Sequence, residues 1–474
     1  MLKYFQNGFA FFILIAGVFA LLFIHSPLLN GFNGAFHIDS QVYLYSGLQL
    51  LNGKILYKEV FDHKGPIMHL IEMVGLLISP NKTTYGVWIV QYILLVGSFA
   101  PLFFYWTKKL SHFVALSSGL ILISWIYRFM TIGDNIPELY SVAFVSLSIY
   151  FSFQILFEQN NIRRNAIYFG ITSTMLIMIK LNFGIIVFPM LIWILIDSHK
   201  NKKHLSTILN FTIGSMIVLL PIIIYFYLNN ALAYVFEAIW TFNFSYIKSN
   251  ALTWWQSIHE VFFKQKNYFL WICLLIILLK LLFSIKNKTE GLVLFSTVCF
   301  SILILVAMPG RGNESRHYLI SLAPIFAWMV VWLVQDVKPF FEYVLLISCL
   351  YFIKPMIIDS INQHNKFAPF DSCSDFILKH KKDQESLLVI GNHSSTYWQL
   401  QMNSPFRFFY TYPILQHCEN KLTQSFVSAF QANRPTWLYI EKQYSHPSCI
   451  LKLVDHYQLK FQNERCKVYY LQSH

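Results

Sequence analysis

Within the largely apolar first 360 residues, 36–66 is a stretch that gathers side chains able to do chemistry. Asp39, Glu59 and Asp62 stand there with His37, His63 and Lys64. Carboxylates can accept protons from an attacking group, and cations beside them can hold an anion. The stretch follows the first strongly apolar run, and most of the next 300 residues are lipid-like. Charge crowded onto the end of a membrane span is costly unless it is solvated or used. The loop therefore reads as the chemical site and the remainder as its scaffold.

That scaffold must be a membrane bundle. The 474 residues are 56% hydrophobic and only 12% charged, about half the charge of a soluble protein. Apolar runs matching the bilayer thickness recur along the chain. They place spans at 9–27, 84–106, 112–127, 139–157, 166–180, 183–197, 205–228, 267–285, 291–309, 318–334 and 340–357, about eleven in all. No small-residue cleavage site follows the first run, so it reads as a retained span rather than a signal sequence. The net charge of +13 needs no nucleic-acid partner, because Lys and Arg gather in short loops as the positive-inside rule requires.

Topology depends on residues 67–79. The segment is too short to span comfortably and contains His69 and Glu72; it reads as a surface or re-entrant helix. Lys108–Lys109, Arg163–Arg164, Lys200, Lys202–Lys203, Lys286, Lys288 and Lys338 then share the inner side, with the C-terminus outside. The outer loops become 28–83, 128–138, 229–266 and 310–317. Aromatics of the third, among them Trp240, Phe242, Phe244, Tyr246, Trp254 and Trp255, suit the headgroup layer. Asp39 precedes a run with Leu44, Leu48 and Leu51 at helical spacing, which predicts an amphipathic helix lying on the membrane and ending at Asn52-Gly53.

Composition changes near residue 360, dividing the chain into a membrane domain (1–359, outer catalytic loop 28–83) and an outer α/β domain (360–474). Residues 386–391, 407–410, 436–441 and 467–471 read as strands and 420–432 as a helix. Four of the seven cysteines, Cys373, Cys418, Cys449 and Cys466, fall in this part. Outside the cytoplasm one or two disulfides are expected; free buried cysteines are the alternative.

The order of these features resembles the GT-C superfold of membrane glycosyltransferases. Within it the chain looks like the bacterial branch of the protein mannosyltransferase and lipid A aminoarabinose transferase relatives. The residues that carry the resemblance are Ile38-Asp39-Ser40, the run from Gly47 through Asn52-Gly53 to Tyr57, and Phe61-Asp62-His63-Lys64-Gly65-Pro66. Gly133-Asp134 through Glu138 and Arg316-His317-Tyr318 complete the set. It covers about 1–340 in architecture and is sharpest over 37–66. Ser40 stands where protein mannosyltransferases carry a second acid, which weighs against a protein acceptor. The resemblance implies a polyprenyl-phosphate-linked sugar as donor, a surface glycan or glycolipid as acceptor, and inverting transfer on the outer face of a bacterial cytoplasmic membrane.

Such a transfer needs a base for the acceptor hydroxyl, cations for the leaving phosphate and an apolar groove for the lipid. Asp39 is the candidate base; it is also placed to cap the following helix. Lys64, set by the Gly65-Pro66 turn, is the candidate phosphate ligand, with a snorkelling lysine as the alternative. Arg316 and His317 are second phosphate candidates, whereas Arg311 reads as a solvated loop residue. Glu138, and less so Asp134, could orient the acceptor or brace Lys64, or serve the helix dipole. Asp62, His63 and Tyr43 complete the substrate-binding set, although Tyr43 and Tyr45 fit the headgroup belt more simply. Lys180 could reach the same site, with snorkelling the simpler reading. The acids could hold a divalent metal, but no spacing compels one, and neither metal nor cofactor is expected. A lipid-linked oligosaccharide flippase finds no internal repeat or broken span pair in its favour. A polysaccharide polymerase or ligase would place basic residues in large mid-chain loops.

Overall fold

The computed structural model describes residues 2–33, 36–80, 83–129, 135–244, 288–307, 312–334, 371–412, 414–415 and 417–472, with four isolated positions between them. It has long apolar helices and a small C-terminal sheet. The first nine helices are α1 (Leu2–His25), α2 (Ile38–Leu51), α3 (Pro66–Ile78), α4 (Tyr85–Lys109), α5 (His112–Phe129), α6 (Pro137–Leu156), α7 (Ile162–Ile179), α8 (Gly184–Lys200) and α9 (His204–Leu228). Helices Lys288–Ala307 and Ala323–Val334 follow, the second entered through the 3-10 segment Gly312–Leu322. By length and composition, five described helices could cross a membrane: Gln6–Ile24, Tyr85–Lys109, Pro137–Leu156, Leu181–Lys200 and His204–Leu228. The expected spans at 267–285 and 340–357 lie outside the described residues, apart from Leu278.

Contacts at the helix ends fix which ends lie together. The hydroxyl of Thr84, just before α4, donates to the Leu28 carbonyl after α1. At the far end of α4, Tyr105 donates to Glu158 after α6 at 3.0 Å, and Lys109 pairs with the same carboxylate. Gln159 donates to Asp197 near the end of α8. Lys108–Lys109, Arg163–Arg164, Lys200 and Lys202–Lys203 all belong to this end. At the opposite end, Lys180 after α7 meets Glu138 at the start of α6.

Helix α3 begins and finishes at that second end. The Gly65 N–H donates to the Ile179 carbonyl at 3.0 Å, and Ser79 Oγ accepts from the Gly86 N–H at 2.6 Å. Pro66 opens the helix, where its missing N–H costs nothing. Leu70, Val74, Leu77 and Ile78 form an exposed apolar stripe, while Met68, His69, Glu72 and Leu76 face inward.

Helix α2 does not lie exposed on a membrane surface as the leucine spacing predicts. Residues 40–47 and Gln49 are all buried. Gln41, Tyr45 and Gln49, one stripe at i, i+4 and i+8, bond the C-terminal part. Gln41 accepts from the Ser395 N–H, the Tyr45 hydroxyl accepts from the Ser404 N–H, and Gln49 donates to Asn403. Gly47, on another face, packs against Glu72 of α3. The helix has protein on two sides, so its polar positions meet partners instead of water.

The C-terminal sheet has four strands in the order β1 (Leu387–Ile390), β2 (Trp437–Glu441), β4 (Cys466–Leu471), β3 (Tyr457–Gln462). β1 and β2 are parallel and the other pairs antiparallel. Helix Lys421–Ala432 lies in the crossover between β1 and β2. β3, whose residues are mostly exposed, is a strand beyond those the sequence pattern predicts. Residues 407–410 are not a strand: the Arg407 carbonyl accepts from the Phe61 N–H, so this backbone serves the loop beside the bundle. Cys373 bonds to Cys466 and Cys418 to Cys449, which settles the cysteine alternatives in favour of two disulfides.

Candidate active site

Asp39 sits in the first turn of α2 but does not cap it. The N-cap is His37, whose Nδ1 accepts from the Asp39 N–H at 3.3 Å. Asp39 is half-buried, and no described residue bonds its carboxylate. Nearby, Glu59 accepts from the Ile55 N–H and pairs with Lys54 at 3.5 Å, so it braces the turn before the site.

The loop between α2 and α3 brings Asp62, His63 and Lys64 into one chain of contacts. Asp62 is fully buried, 3.2 Å from His63 Nδ1 and 3.1 Å from His69 Nε2 of α3. The Tyr410 hydroxyl, from the C-terminal part, donates to the same carboxylate at 3.1 Å. His63 Nε2 lies 2.5 Å from Lys64 Nζ, which leaves one proton between the two nitrogens. Lys64 is only 9% exposed, so it does not snorkel. The Asn243 amide donates to the His63 carbonyl and the Tyr57 hydroxyl to the Lys64 carbonyl. A Cβ on Gly65 would overlap the Met178 carbonyl. Gly65→Ala should therefore lower the melting temperature in detergent by an overpacking cost of about 1–3 kcal/mol. An unchanged melt would show that the loop does not need this approach.

Burial alone would raise the Asp62 carboxyl, but His63 and His69 beside it hold it well below the usual carboxylate range. Burial, and then the Lys64 ammonium, pull His63 below its ordinary value. Both shifts have one sign for stability. Between the ordinary imidazole value and the lower folded one, the unfolded chain binds more protons at His63, so stability falls as pH drops through that window. Asp62 contributes stability above the ordinary carboxylate range and loses it as pH falls through its folded value. The melting temperature should decline below about pH 6.5, and less steeply in His63→Gln. Equal slopes in the two proteins would count against this account.

A second cluster lies at the start of α6. Glu138 is buried, with Lys180 Nζ at 2.6 Å and His317 Nε2 at 3.7 Å. Lys180 also sits over the Tyr318 ring, 3.8 Å from its centroid. Lys180 is thus an ion-pair partner rather than a snorkelling side chain, and Glu138 braces it rather than Lys64. Tyr43 lies between the clusters. It is fully buried, and its hydroxyl is pushed up by that burial and by the charges of Asp39, Asp62 and Glu138. The charge of Asp39 is also felt at His63 and His317. Tyr43 and Tyr45 are both 2% exposed, so neither belongs to a headgroup belt. Asp134 and Arg311 lie outside the described residues, as does the Arg316 side chain.

Two contributors were not legible beforehand. Tyr410 reaches Asp62 across 348 residues of sequence. Arg407 donates to the Tyr57 carbonyl, pairs with Glu237 at 2.6 Å and stacks near Phe61, Tyr234 and Phe408. No local pattern marks either. His69 had a signal, a lone histidine in an apolar helix.

Comparison with known proteins agrees with this architecture. The family described as dolichyl-phosphate-mannose-protein mannosyltransferase matches residues 63–227. ArnT from Cupriavidus metallidurans bound to undecaprenyl phosphate superposes with a TM-score of 0.63 at 9% identity, covering 96% of each chain. The apo state of that protein gives 0.61 at 11% identity, covering 91% of this chain and 92% of the other. The Archaeoglobus fulgidus oligosaccharyltransferase in complex with Zn and sulfate gives 0.53 at 11% identity, covering 97% of this chain and 73% of that one. No curated protein matches by sequence. The chain shares its fold with ArnT, a GT-C fold, and residues 63–227 are similar to the mannosyltransferase family.

Proposed function

We propose that this chain is a membrane glycosyltransferase that moves a sugar from a polyprenyl-phosphate donor to a cell-surface glycan or glycolipid on the outer face of the membrane. The observation that carries the reading is the presence, on a GT-C fold, of a carboxylate at Asp39 that no described residue bonds, together with a buried cation at Lys64. Both charges act on His63. Asp39 takes the proton of the acceptor hydroxyl as its oxygen attacks the anomeric carbon. The bond from that carbon to the phosphate oxygen breaks on the opposite side, inverting the centre. The lipid phosphate leaves as an anion against Lys64, with His317 and Arg316 as further candidate contacts. Asp62 and His63 act through Lys64 by fixing its position, and Glu138 with Lys180 walls the site. The undecaprenyl phosphate in the ArnT structure supports a lipid-linked donor.

Incubating purified protein with a panel of polyprenyl-phosphate sugars, and scoring release of lipid phosphate, tests the activity. Release with none of them overturns it. The orientation rests on the basic residues at the end opposite the site and on two disulfides in the sheet region that packs on the site end. A cysteine placed at Lys109 should resist an impermeant thiol reagent in intact cells. Strong labelling there would reverse the orientation.

A further inference from the structure

β1 and β2 run parallel, so their carboxyl ends lie side by side. In open α/β sheets ligands bind outside that edge. Here it carries Gly391-Asn392-His393 after β1 and Glu441 as the last residue of β2. Glu441 Oε2 accepts from the Asn392 and His393 N–H groups, and Gln443 donates to Oε1 at 3.1 Å. The turn needs glycine: Gly391 has φ +149°, and a Cβ there would strike the Glu441 carboxylate. The Asn392 side-chain oxygen is buried and has no hydrogen-bond partner among the described residues. Beside it the rings of Tyr412 and Tyr444 stack with centroids 4.2 Å apart, and both residues are half-buried. The Tyr412 N–H donates to the Gly391 carbonyl at 3.0 Å, which fixes the pair against the turn.

This edge adjoins the candidate active site. Tyr410, two residues before Tyr412, bonds Asp62, and the Ser395 N–H donates to Gln41 in the first turns of α2. The charge of Asp39 reaches Tyr444. None of these groups is used in holding Lys64 except Tyr410.

We propose that the edge is a sugar subsite for the acceptor, taking a neutral hexopyranose ring. The inference rests on the transferase reading above. A pyranose has an apolar C–H face and a rim of hydroxyls. The Tyr412–Tyr444 pair supplies a flat apolar surface for the first, and Asn392, Glu441 and Gln443 supply acceptors and a donor for the second. Burial pushes the Glu441 carboxyl up and His393 Nδ1 stands 4.0 Å from it, so the edge offers an anionic sugar no dedicated cation.

Saturation-transfer NMR on the full-length protein in detergent, with methyl glycosides of glucose, galactose, mannose and N-acetylglucosamine as probes, tests the assignment. At least one glycoside should receive saturation. Its affinity should fall on the order of tenfold in Tyr444→Ala and be kept in Tyr444→Phe, which preserves the ring. Asn392→Ala, which removes the unpartnered acceptor, should weaken the same glycoside without disturbing the aromatic pair, and unchanged affinity there would take Asn392 out of the subsite. No saturation with any glycoside, or equal affinity in Tyr444→Ala, overturns the subsite. Lipid-phosphate release by the wild type is scored separately. Release without glycoside binding refutes the subsite and leaves the transferase reading standing. Glycoside binding lost in Tyr444→Ala, with no release from any donor, supports the sugar site and removes the transferase reading.

Discussion

Asp39→Asn is expected to lower turnover by about 10²–10⁴-fold, the range that general-base catalysis contributes. Asn matches Asp in shape but cannot take a proton from a hydroxyl. The helix should not suffer, because the cap of α2 is the His37 ring and not Asp39. Donor binding should also survive, since the phosphate cation sits on the loop after α2. Single-turnover transfer and donor affinity, measured on the same preparation, separate these effects. Turnover within a few-fold of wild type would make Asp39 structural. Glu138 would then be the next candidate, but its carboxylate is already committed to Lys180 and His317.

The residues that announce the site are local in sequence, and so were legible. Asp39 lies just after an apolar run, and Asp62-His63-Lys64-Gly65-Pro66 is a continuous word. The short, charged α3 also declares itself, because a helix of 13 residues with a buried Glu72 is a poor span. What failed was whatever depends on distant partners. The Gln41, Tyr45 and Gln49 stripe of α2 looks solvent-facing on a helical wheel, yet each side chain has a partner more than 350 positions away. Lys180 looks like a lysine reaching for headgroups until Glu138, 42 positions earlier, is placed beside it. Residues 407–410 have strand composition. They leave the sheet because their groups bond the bundle: Arg407 to Tyr57 and Glu237, Tyr410 to Asp62. Pairing of the four cysteines was equally beyond reach, because spacing alone admits three connectivities. The consequence is a site less modular than its sequence. The C-terminal part holds the carboxylate that orients His63, and His63 holds Lys64.

Lys64→Ala should therefore act on binding more than on folding. In a complex, removing one partner of a buried, hydrogen-bonded charge pair costs about 2–5 kcal/mol, or roughly 30- to several-thousand-fold in affinity. Binding of undecaprenyl phosphate to the detergent-solubilised protein should weaken by at least the lower figure. Asp62 keeps its bond to Tyr410 and its contacts with His63 and His69 in the variant, so the melting temperature should change little. Lys64→Arg should not rescue binding. The ammonium is nearly enclosed and 2.5 Å from His63, which leaves no room for a planar guanidinium. The measurement belongs at low salt, where screening is weakest. Affinity equal to wild type under those conditions would free Lys64 from the phosphate and pass the role to the Arg316–His317 segment. A large loss of melting temperature with unchanged affinity would make Lys64 a structural cation for the loop.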